Sequence, residues 1–449
     1  MRPTVLFFAR SYQAELFCHL TSPVYHSIYA TLTIDEKNII LAKGGQVVGC
    51  FEEEFDTLGT EYVNEDYFIT SLASDRYING FNLDTRLTIL KKEKGFWESI
   101  LAKHSPVAIV NEIVAIEISE VLYIECKKRG IRYLAWLNHP IDNYFYWLDT
   151  PMNSSLSPSI FAKSPKTESV ILVSNYCSKV EQNYKPFYVR DLKSRFNLID
   201  ILKDIKSTGL TLRTRIKYNK IKSYSIFGAD YKFYLWRLNL ILATLGRKYD
   251  DLRKYNQYEI LFFPLHYEPE ATLFYMAEWY SSQIDTIYNI SKCIKLNQVL
   301  VVKEHPVQRG MLLTEPFQKL KKKTSNVIYL PGEHNSQDLI LSAKAIITLT
   351  STVGLEALIL GKPVIVMGNV FFDRYQYITK IKSFDELRSI IRSDAYIYPD
   401  KKTIIDFLAN LLDHSFKGNP FPHSNLYIPE NIKLIIEAIE SEVLAMIKA

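Results

Sequence analysis

Short apolar runs separated by longer mixed segments recur along the chain. In the first half, strand-like runs occur at TVLFFA (4–9), PVAIVNE (106–112) and IRYLAWL (131–137), and NIILAKGGQVVG (38–49) predicts one or two strands around a Gly-Gly turn. The segment IEISEVLYIECKKRG has helical apolar spacing and is predicted to end at Gly130. A strand, a helix and a strand joined by short connections predict a βαβ unit with a parallel sheet.

A second series of apolar runs begins near residue 258. It comprises YEILFFPL (258–265), QVLVVKEH (298–305), NVIYL (326–330), AKAIITLT (343–350) and PVIVMG (363–368), with helix-like segments between several of them. Residues 151–165 are rich in Ser and Pro and are predicted to form a loop. The pattern therefore predicts an α/β protein with two parallel-sheet domains and a cleft between them.

The predicted domain limits follow these changes in pattern. An N-terminal domain is expected over 1–190, a basic, aromatic, helical connector over 191–256, a C-terminal domain over 257–425, and a C-terminal helix over 426–449. A chain of 449 residues is long enough for two domains that each bury a core.

Composition excludes several classes of protein. Apolar residues at 47% and charged residues at 23% are typical of a soluble globular protein. The five cysteines are scattered and form no C-x-x-C pair, so neither a zinc site nor a disulfide framework is predicted. Neither a secretory leader nor a membrane span is predicted, because the N-terminal apolar run VLFFA is short and no uncharged apolar window reaches about 18 residues. These features predict a cytoplasmic protein.

The positive charge is concentrated in one stretch. Residues 213–254 contain eleven Lys or Arg against Asp230, Asp250 and Asp251, interleaved with aromatic residues. Such a stretch suits an anionic membrane surface, which predicts peripheral attachment to the inner face of the cytoplasmic membrane. A solvated helical connector is the alternative interpretation. Nucleic acid is not expected as a partner, because no nucleic-acid-binding motif accompanies the charge.

Polar motifs follow three strands of the second half. HYEPE supplies His266, Glu268 and Glu270, KEHP supplies Lys303 and His305, and TSTVGLE supplies Thr350, Ser351, Thr352 and Glu356. Because ligands of open α/β sheets bind beyond the carboxyl ends of the strands, we expect these side chains to converge on one rim.

The chemistry of the motifs indicates an anionic ligand. Hydroxyl residues before a helix either cap its N–H groups or bind an anion, and Gly354 is expected to let a ligand approach the backbone. Lys303 and His305 can neutralise a departing phosphate, with Pro306 fixing the loop. The alternatives are a plain helix cap, a core histidine, and a Glu356 that faces solvent instead of ribose hydroxyls.

KEHP and TSTVG resemble the K-x-H-P and Ser/Thr motifs of bacterial CMP-sugar transferases. Over 258–373, the sequence is most similar to the capsule polysaccharide biosynthesis glycosyltransferase family. The resemblance implies a GT-B-like fold with two Rossmann-like domains facing a central cleft, and a phosphate-binding role for His305, Ser351 and Thr352. It also implies a donor in which CMP activates a 3-deoxy-ulosonic acid, either Kdo or a nonulosonic acid such as pseudaminic, legionaminic or sialic acid.

The sequence departs from this family in its catalytic base. Many related enzymes carry an acidic pair followed by glycine in the N-terminal domain, and this chain has none. Glu112, just past the strand PVAIV, is predicted to deprotonate the acceptor hydroxyl. Glu117, expected on a helix surface, and Asp142, after IRYLAWLNHP, are the alternatives.

Together the patterns predict a metal-independent, inverting glycosyltransferase without a cofactor. The sequence contains no D-x-D motif and no P-loop. The expected acceptor is a lipid-linked saccharide or an oligosaccharide of a capsule or other surface polysaccharide. Alternatives are a CDP-glycerol-type phosphotransferase, a UDP-sugar transferase or epimerase, and a non-catalytic scaffold for polysaccharide assembly.

Overall fold

Two α/β units are present in the computed structural model, which describes residues 2–64, 78, 81–183, 206, 209, 213, 216, 236, 239–268 and 270–448. Unit 1 contains the described residues of 1–152, 205–231 and 414–449, and unit 2 contains those of 153–204 and 232–413. The chain therefore passes from one unit to the other several times. The limits predicted from the sequence instead end the N-terminal domain once, near residue 190. Most of the predicted connector, 191–256, lies outside the described residues.

Most strands are short, and they form three sheets. The strands are β1 (Thr4–Ala9), β2 (His26–Thr31), β3 (Val47–Cys50), β4 (Ala108–Val110), β5 (Arg132–Leu134), β6 (Trp136–Asn138), β7 (Tyr144–Trp147), β8 (Glu259–Pro264), β9 (Gln298–Lys303), β10 (Val327–Leu330), β11 (Ala343–Thr348), β12 (Val364–Val366), β13 (Thr379–Lys380) and β14 (Phe416–Lys417).

Helices separate most of the parallel strands. They are α1 (Tyr12–Cys18), α2 (Ile34–Ala42), α3 (Phe51–Glu54), α4 (Leu83–His104), α5 (Glu117–Lys128), α6 (Thr167–Glu181), α7 (Ala271–Met276), α8 (Gln283–Ser291), α9 (Glu315–Lys321), α10 (Ser336–Ser342), α11 (Val353–Ile359), α12 (Phe384–Ser393), α13 (Lys401–Asp413) and α14 (Pro429–Lys448). Residues 239–246 are also helical.

Each unit is built on a parallel sheet with the same internal strand order. The sheet of unit 1 runs β3-β2-β1-β4-β5, and that of unit 2 runs β10-β9-β8-β11-β12-β13. Counted from the first strand of each unit, both orders read 3-2-1-4-5, which is the doubly wound Rossmann arrangement. The predicted α/β class with two parallel sheets is confirmed. A further antiparallel sheet, β14-β7-β6, belongs to unit 1.

The strands of unit 2 follow the sequence prediction closely. Each of the five predicted runs contains one strand, β8 to β12, and β8 and β9 pair in register from Glu259 opposite Gln298 to Pro264 opposite Lys303. All six residues of β9 are buried. Strands covered on both faces read as continuous apolar runs, and this explains the agreement.

Unit 1 departs from the prediction at two places. The first part of 38–49, predicted as strand, belongs to helix α2, because Thr33 and Glu36 form a capping box that starts a helix there. The run IRYLAWL, predicted as one strand, is divided at Ala135 into β5 and β6, which lie in different sheets. Helix α5 was predicted, and it is followed by Gly130 at φ +67°, the left-handed conformation that suits glycine after a helix.

Candidate functional site

The reversal of strand order in unit 2 falls between β8 and β11, and two of the predicted motifs meet there. His266, two residues past β8, accepts a hydrogen bond at Nε2 from the backbone N–H of Thr350, two residues past β11, over 3.0 Å. Open α/β sheets bind ligands at this reversal, beyond the carboxyl ends of the strands. The expected convergence of HYEPE and TSTVG on one rim is present in the structure.

Gln283, at the start of α8, fixes the HYEPE segment. Its Oε1 accepts from the backbone N–H of His266 over 2.8 Å, and its Nε2 donates to the His266 carbonyl over 3.2 Å and to Glu268 Oε1 over 2.6 Å. Gln283 is 1% exposed, so these bonds form away from water. One buried amide therefore sets both the backbone of His266 and the carboxylate of Glu268.

Gln308 joins the loops after β8 and β9. Its Oε1 accepts from the backbone N–H of Glu268 over 2.9 Å, and its Nε2 donates to the Glu268 carbonyl. The HYEPE and KEHP segments are thereby hydrogen-bonded to each other, so all three motifs lie at one edge of the sheet.

Two neutral histidines face this edge. Burial, and to a lesser extent the neighbouring His305, lowers the pKa of His266 to about 3. Burial, and then the charge of Lys303, lowers the pKa of His305 to about 4. His305 Nδ1 accepts from the backbone N–H of Val307 over 3.3 Å, so the proton of the neutral ring is on Nε2. Positive charge in the KEHP motif is therefore carried by the buried Lys303.

Glu304 holds the loop that carries His305. Its Oε1 accepts from the backbone N–H of Leu312 over 2.8 Å, and its Oε2 accepts from the N–H of Gly310 over 3.1 Å and from the Tyr249 hydroxyl over 2.7 Å. The side chain is 1% exposed, and burial raises the pKa of Glu304 to about 7 despite these donors. The buried carboxyl group of Glu304 thus holds the loop 305–312 in place through hydrogen bonds to its backbone.

The hydroxyl motif is partly used for local structure. Ser351 Oγ accepts from the backbone N–H of Val353 over 3.2 Å, and Thr348 Oγ1 accepts from the N–H of Ser351 over 3.1 Å. Thr352 occupies the position before α11, yet its side chain does not cap the helix and is exposed. The hydroxyl of Thr352 is therefore presented at the surface of the motif.

Two glycines lie in close packing around the motifs. A Cβ on Gly354 would lie 3.1 Å from Thr348 Cγ2 and 3.0 Å from the Phe372 ring. A Cβ on Gly332 would lie 3.0 Å from the His305 carbonyl oxygen. Gly354 was expected to admit a ligand, whereas its immediate neighbours in the structure are the side chains of Thr348 and Phe372.

The other two predicted donor residues lie at or near the starts of helices in the same unit. Glu270 precedes α7 without capping it through its side chain, and Glu356 lies in the first turn of α11, half-buried.

The predicted base belongs to unit 1, at the corresponding place in that sheet. The strand order of unit 1 reverses between β1 and β4, and Glu112 follows β4 by two residues. Glu112 Oε2 accepts from Gln13 Nε2 over 3.0 Å, and Oε1 accepts from the Tyr12 hydroxyl over 3.4 Å. Both donors lie just after β1, so the carboxylate is held at the reversal point of its own sheet.

The two alternative carboxylates have other environments. Glu117 was expected on a helix surface, but it is 1% exposed and pairs with Arg86 over 3.5 Å. A buried carboxylate needs such a partner, which gives Glu117 a structural role. Asp142 lies in the turn between the antiparallel strands β6 and β7, outside the strands of the parallel sheet of unit 1.

Sequence reasoning missed Gln283, Gln308, Glu304 and Tyr249. The glutamines act on backbone groups, and neither lies in a recognisable motif. Only Glu304 had a sequence feature that could have identified it, as an acidic residue directly after a buried apolar strand.

Among the described residues, no group of three or more His, Cys, Asp or Glu side chains is placed to hold a metal ion. Within that same part of the chain, no helix combines the length and apolarity needed to cross a bilayer.

Residues 214–387 match the sequence model of a family described as capsule polysaccharide biosynthesis protein. The matched range contains HYEPE, KEHP and TSTVG. This region is similar to the capsule polysaccharide biosynthesis family. The resemblance predicted from the motifs of this family is confirmed over that range.

Two curated relatives share shorter segments. The chain is 34% identical over 93 residues to the capsule polysaccharide export protein KpsS of Escherichia coli, which covers 20% of this chain and 24% of that protein. It is 27% identical over 129 residues to protein FixF of Sinorhizobium fredii, which covers 27% of this chain and 30% of that one. The matches therefore span less than a third of either relative.

Solved structures with similarity include KpsC of Thermosulfurimonas dismutans. Its β-Kdo 2,7-transferase is 12% identical, with 93% of this chain and 99% of that chain covered and a TM-score of 0.36. Its β-Kdo 2,4-transferase is 14% identical, with 75% and 87% covered and a TM-score of 0.37. UDP-GlcNAc 2-epimerase of Neisseria meningitidis is 10% identical, with 99% and 100% covered and a TM-score of 0.25.

Proposed function

We propose that the protein is a glycosyltransferase that transfers a 3-deoxy-ulosonic acid, Kdo or a nonulosonic acid, from its CMP-activated form to a capsule or other surface polysaccharide. The observation that carries the proposal is the hydrogen bond between His266 and Thr350 at the strand-order reversal of unit 2. This bond places the TSTVG motif beside the HYEPE segment, and Gln308 in turn connects HYEPE to the loop that carries KEHP. Polar groups that fit a nucleotide phosphate are thus collected at one sheet edge.

The donor phosphate would be bound by Lys303, His305, Ser351 and Thr352. The Lys303 ammonium supplies positive charge, and neutral His305 supplies an N–H donor from Nε2. A bound phosphate would raise the pKa of His305, because a nearby negative charge favours the imidazolium form. His305 can then neutralise the charge that develops on the phosphate as the sugar departs.

Glu112 would serve as the base in an inverting displacement. The acceptor hydroxyl oxygen forms a bond to the anomeric carbon while the bond from that carbon to the CMP phosphate oxygen breaks. CMP leaves with the bonding electron pair, and the hydroxyl proton passes to the Glu112 carboxylate. Its hydrogen bonds from Gln13 and Tyr12 keep the carboxylate oriented.

The donor class is tested by calorimetric titration of the protein with CMP, UMP and ADP. We expect CMP to bind most tightly. Equal or tighter binding of UMP would support the UDP-sugar transferase or epimerase instead. Hydrolysis assays with CMP-, CDP- and UDP-linked donors complete the test, since a CDP-glycerol phosphotransferase would act on the CDP compound and a scaffold would act on none.

The stretch 213–254 is proposed to hold the enzyme at an anionic membrane surface, where lipid-linked acceptors are found. Each Lys or Arg that reaches such a surface contributes about 1 kcal/mol. Arg247 already donates to the Leu313 carbonyl within unit 2, so only part of the charge is available. Co-sedimentation should show binding to anionic vesicles at low salt and loss at high salt. Protein that remains in solution with those vesicles would leave the stretch as a connector.

A further inference from the structure

A pocket of about 700 Å³ lies in unit 2 and is lined by none of the motif residues described above. It is formed by the residues before α6, the loop after β12 and the helix α13. Its volume falls within the range of about 300 to 1,000 Å³ that is usual for small-molecule sites. The pocket is therefore large enough for one or two sugar rings.

One wall of the pocket is aromatic and fixed. The rings of Phe161 and Phe407 stack with their centroids 4.6 Å apart and their planes 12° apart. The ring of Tyr375 packs against Phe407 at 5.5 Å, and its hydroxyl lies 2.6 Å from Thr403 Oγ1 and donates to the Asp400 carbonyl over 3.0 Å. Phe161 stacks on Phe407 through one face and is only half-buried, so part of its ring is open to the apolar face of a sugar.

The pocket also carries polar groups of three different kinds. Arg374 offers a guanidinium, Gln376 an amide and Asp406 a carboxylate. No side chain of these three forms a hydrogen bond or ion pair with another described residue, although many other charged groups of the chain are paired. Arg374 and Gln376 are exposed. The pocket therefore holds both a cation and an anion whose hydrogen-bonding capacity is open to a ligand.

The loop that carries Arg374 also contacts the hydroxyl motif. A Cβ on Gly368 would lie 2.8 Å from Thr350 Cγ2, and Phe372 packs against Gly354. Asp373, beside Arg374, accepts from Ser155 Oγ and pairs with Lys380 over 2.5 Å, which fixes the loop on both sides. One short, well-held loop thus borders both the proposed donor site and the pocket.

We propose that this pocket binds a carboxylated saccharide. The guanidinium of Arg374 suits a carboxylate, which it can contact through two parallel N–H donors. Asp406 and Gln376 suit ring or side-chain hydroxyls, and Phe161 suits the C–H face of the ring. A carboxylate supplies Arg374 with a counter-charge, which a neutral sugar does not. The assignment to a donor or acceptor sugar rests on the proposed function, but the binding itself does not.

The test uses Kdo methyl glycoside and its methyl ester, which share one ring and differ in the carboxylate charge. Binding is measured by calorimetry with the full chain. We expect wild type to prefer the acid over the ester by at least about 10-fold. Arg374→Gln should remove that preference, and Phe161→Ala should weaken both ligands. Arg392→Gln, which changes an exposed arginine of α12, is the matched control.

CMP titration of the same variants separates this proposal from the proposed function. Unchanged CMP binding by Arg374→Gln together with lost acid preference supports the pocket. Three outcomes overturn the proposal regardless of the CMP result. They are equal binding of acid and ester by wild type, unchanged Kdo binding by Arg374→Gln, and no binding of either sugar at millimolar concentration. Weaker binding of cytidine by Arg374→Gln, without loss of Kdo binding, would assign the pocket to the nucleoside and also overturns it.

Competition distinguishes the two sources of the sugar. If the pocket holds the sugar of the donor, saturating CMP-Kdo prevents binding of Kdo methyl glycoside. If it holds the acceptor, both ligands bind together. Either outcome agrees with a site for a carboxylated saccharide, and each assigns it to one substrate.

Discussion

The imidazole Nε2 of His266 lies 3.0 Å from the backbone nitrogen of Thr350, a residue 84 positions later in the chain. Because Nε2 accepts this bond, the proton of the neutral ring is on Nδ1. The bond fixes the first residue of the hydroxyl motif relative to the HYEPE segment. The buried histidine is thus a positioning residue for the proposed donor site.

His266→Phe should destabilise the protein, because it leaves the N–H of Thr350 without its acceptor. We expect a loss of about 1–3 kcal/mol in the free energy of unfolding at pH 7. The pKa of His266 is about 3 in the folded chain, below its ordinary value, so the unfolded chain binds the proton first as pH falls. Wild type should therefore lose stability between about pH 7 and pH 4.

His266→Phe removes the part of this loss of stability at acid pH that comes from protonation of His266. The plot of unfolding free energy against pH should therefore be flatter for the variant than for wild type. Urea denaturation at several pH values measures it, with His26→Phe, an exposed position, as the control. Parallel curves for wild type and His266→Phe would contradict the assigned role.

His305→Ala should lower turnover about 100-fold, because the proposed phosphate loses its N–H donor. The fold should be retained, since His305 is only partly buried and its Nδ1 accepts a hydrogen bond from a backbone N–H of its own loop. Initial rates with a CMP-sugar donor and thermal unfolding curves are compared with His26→Ala. A folded variant with near-normal turnover would leave His305 as a structural residue.

Glu112→Gln should reduce the rate of transfer by about 100-fold or more while leaving CMP binding unchanged. The amide keeps the size of the side chain but cannot take the acceptor proton. Steady-state rates and CMP titration give the two readouts, and Glu15→Gln, on the exposed side of α1, is the control. Transfer at the wild-type rate by Glu112→Gln would exclude Glu112 as the base.

Glu304→Gln tests the buried carboxylate behind KEHP. Burial raises the pKa of Glu304 to about 7 in the folded chain, so its protonated form stabilises the fold fully below about pH 4.5 and this contribution is lost as pH rises through 7. The Gln variant lacks this titration.

Between pH 5 and pH 8, the unfolding free energy of Glu304→Gln should therefore rise relative to wild type, on the order of 2 kcal/mol. Chemical denaturation at both values measures the change, with the exposed Glu333→Gln as control. A difference that does not vary with pH would mean that Glu304 is ionised throughout this range.

Activity should survive EDTA, because the sequence has no D-x-D motif to hold a metal with the nucleotide. Rates with EDTA are compared with rates in EDTA already saturated with magnesium. Loss of activity in the first sample and recovery on adding magnesium or manganese would contradict a metal-independent reaction.

The sequence predicted unit 2 better than unit 1 for a physical reason. Strands β8 to β12 are buried on both faces, so apolar runs mark them directly. Residues Ile39, Ile40 and Leu41 also form an apolar run, but only Ile40 is buried, and the capping box at Thr33 makes the segment a helix. Adjacent apolar residues do not distinguish a strand from a half-exposed helix.

The candidate site shows the same limit. Strand ends identified His266, His305 and Thr350, because the carboxyl edge of a parallel sheet is set by topology. The residues that fix their geometry, Gln283 and Gln308, act through bonds to backbone atoms 17 and 40 positions away. Such partners depend on the folded path of the chain and leave no local pattern.

The core of unit 1 has a consequence for how the protein is made. Val5 and Phe7 of β1 pack in one cluster with Ile435 and Ile439 of α14. During synthesis, the first strand must therefore wait for the last helix to leave the ribosome before this core can close. Unit 2, whose core cluster draws only on residues 240–391, can complete its sheet earlier. A chain that ends at residue 413 and has been released from the ribosome should thus carry a folded second unit and an unfinished first one that chaperones can bind.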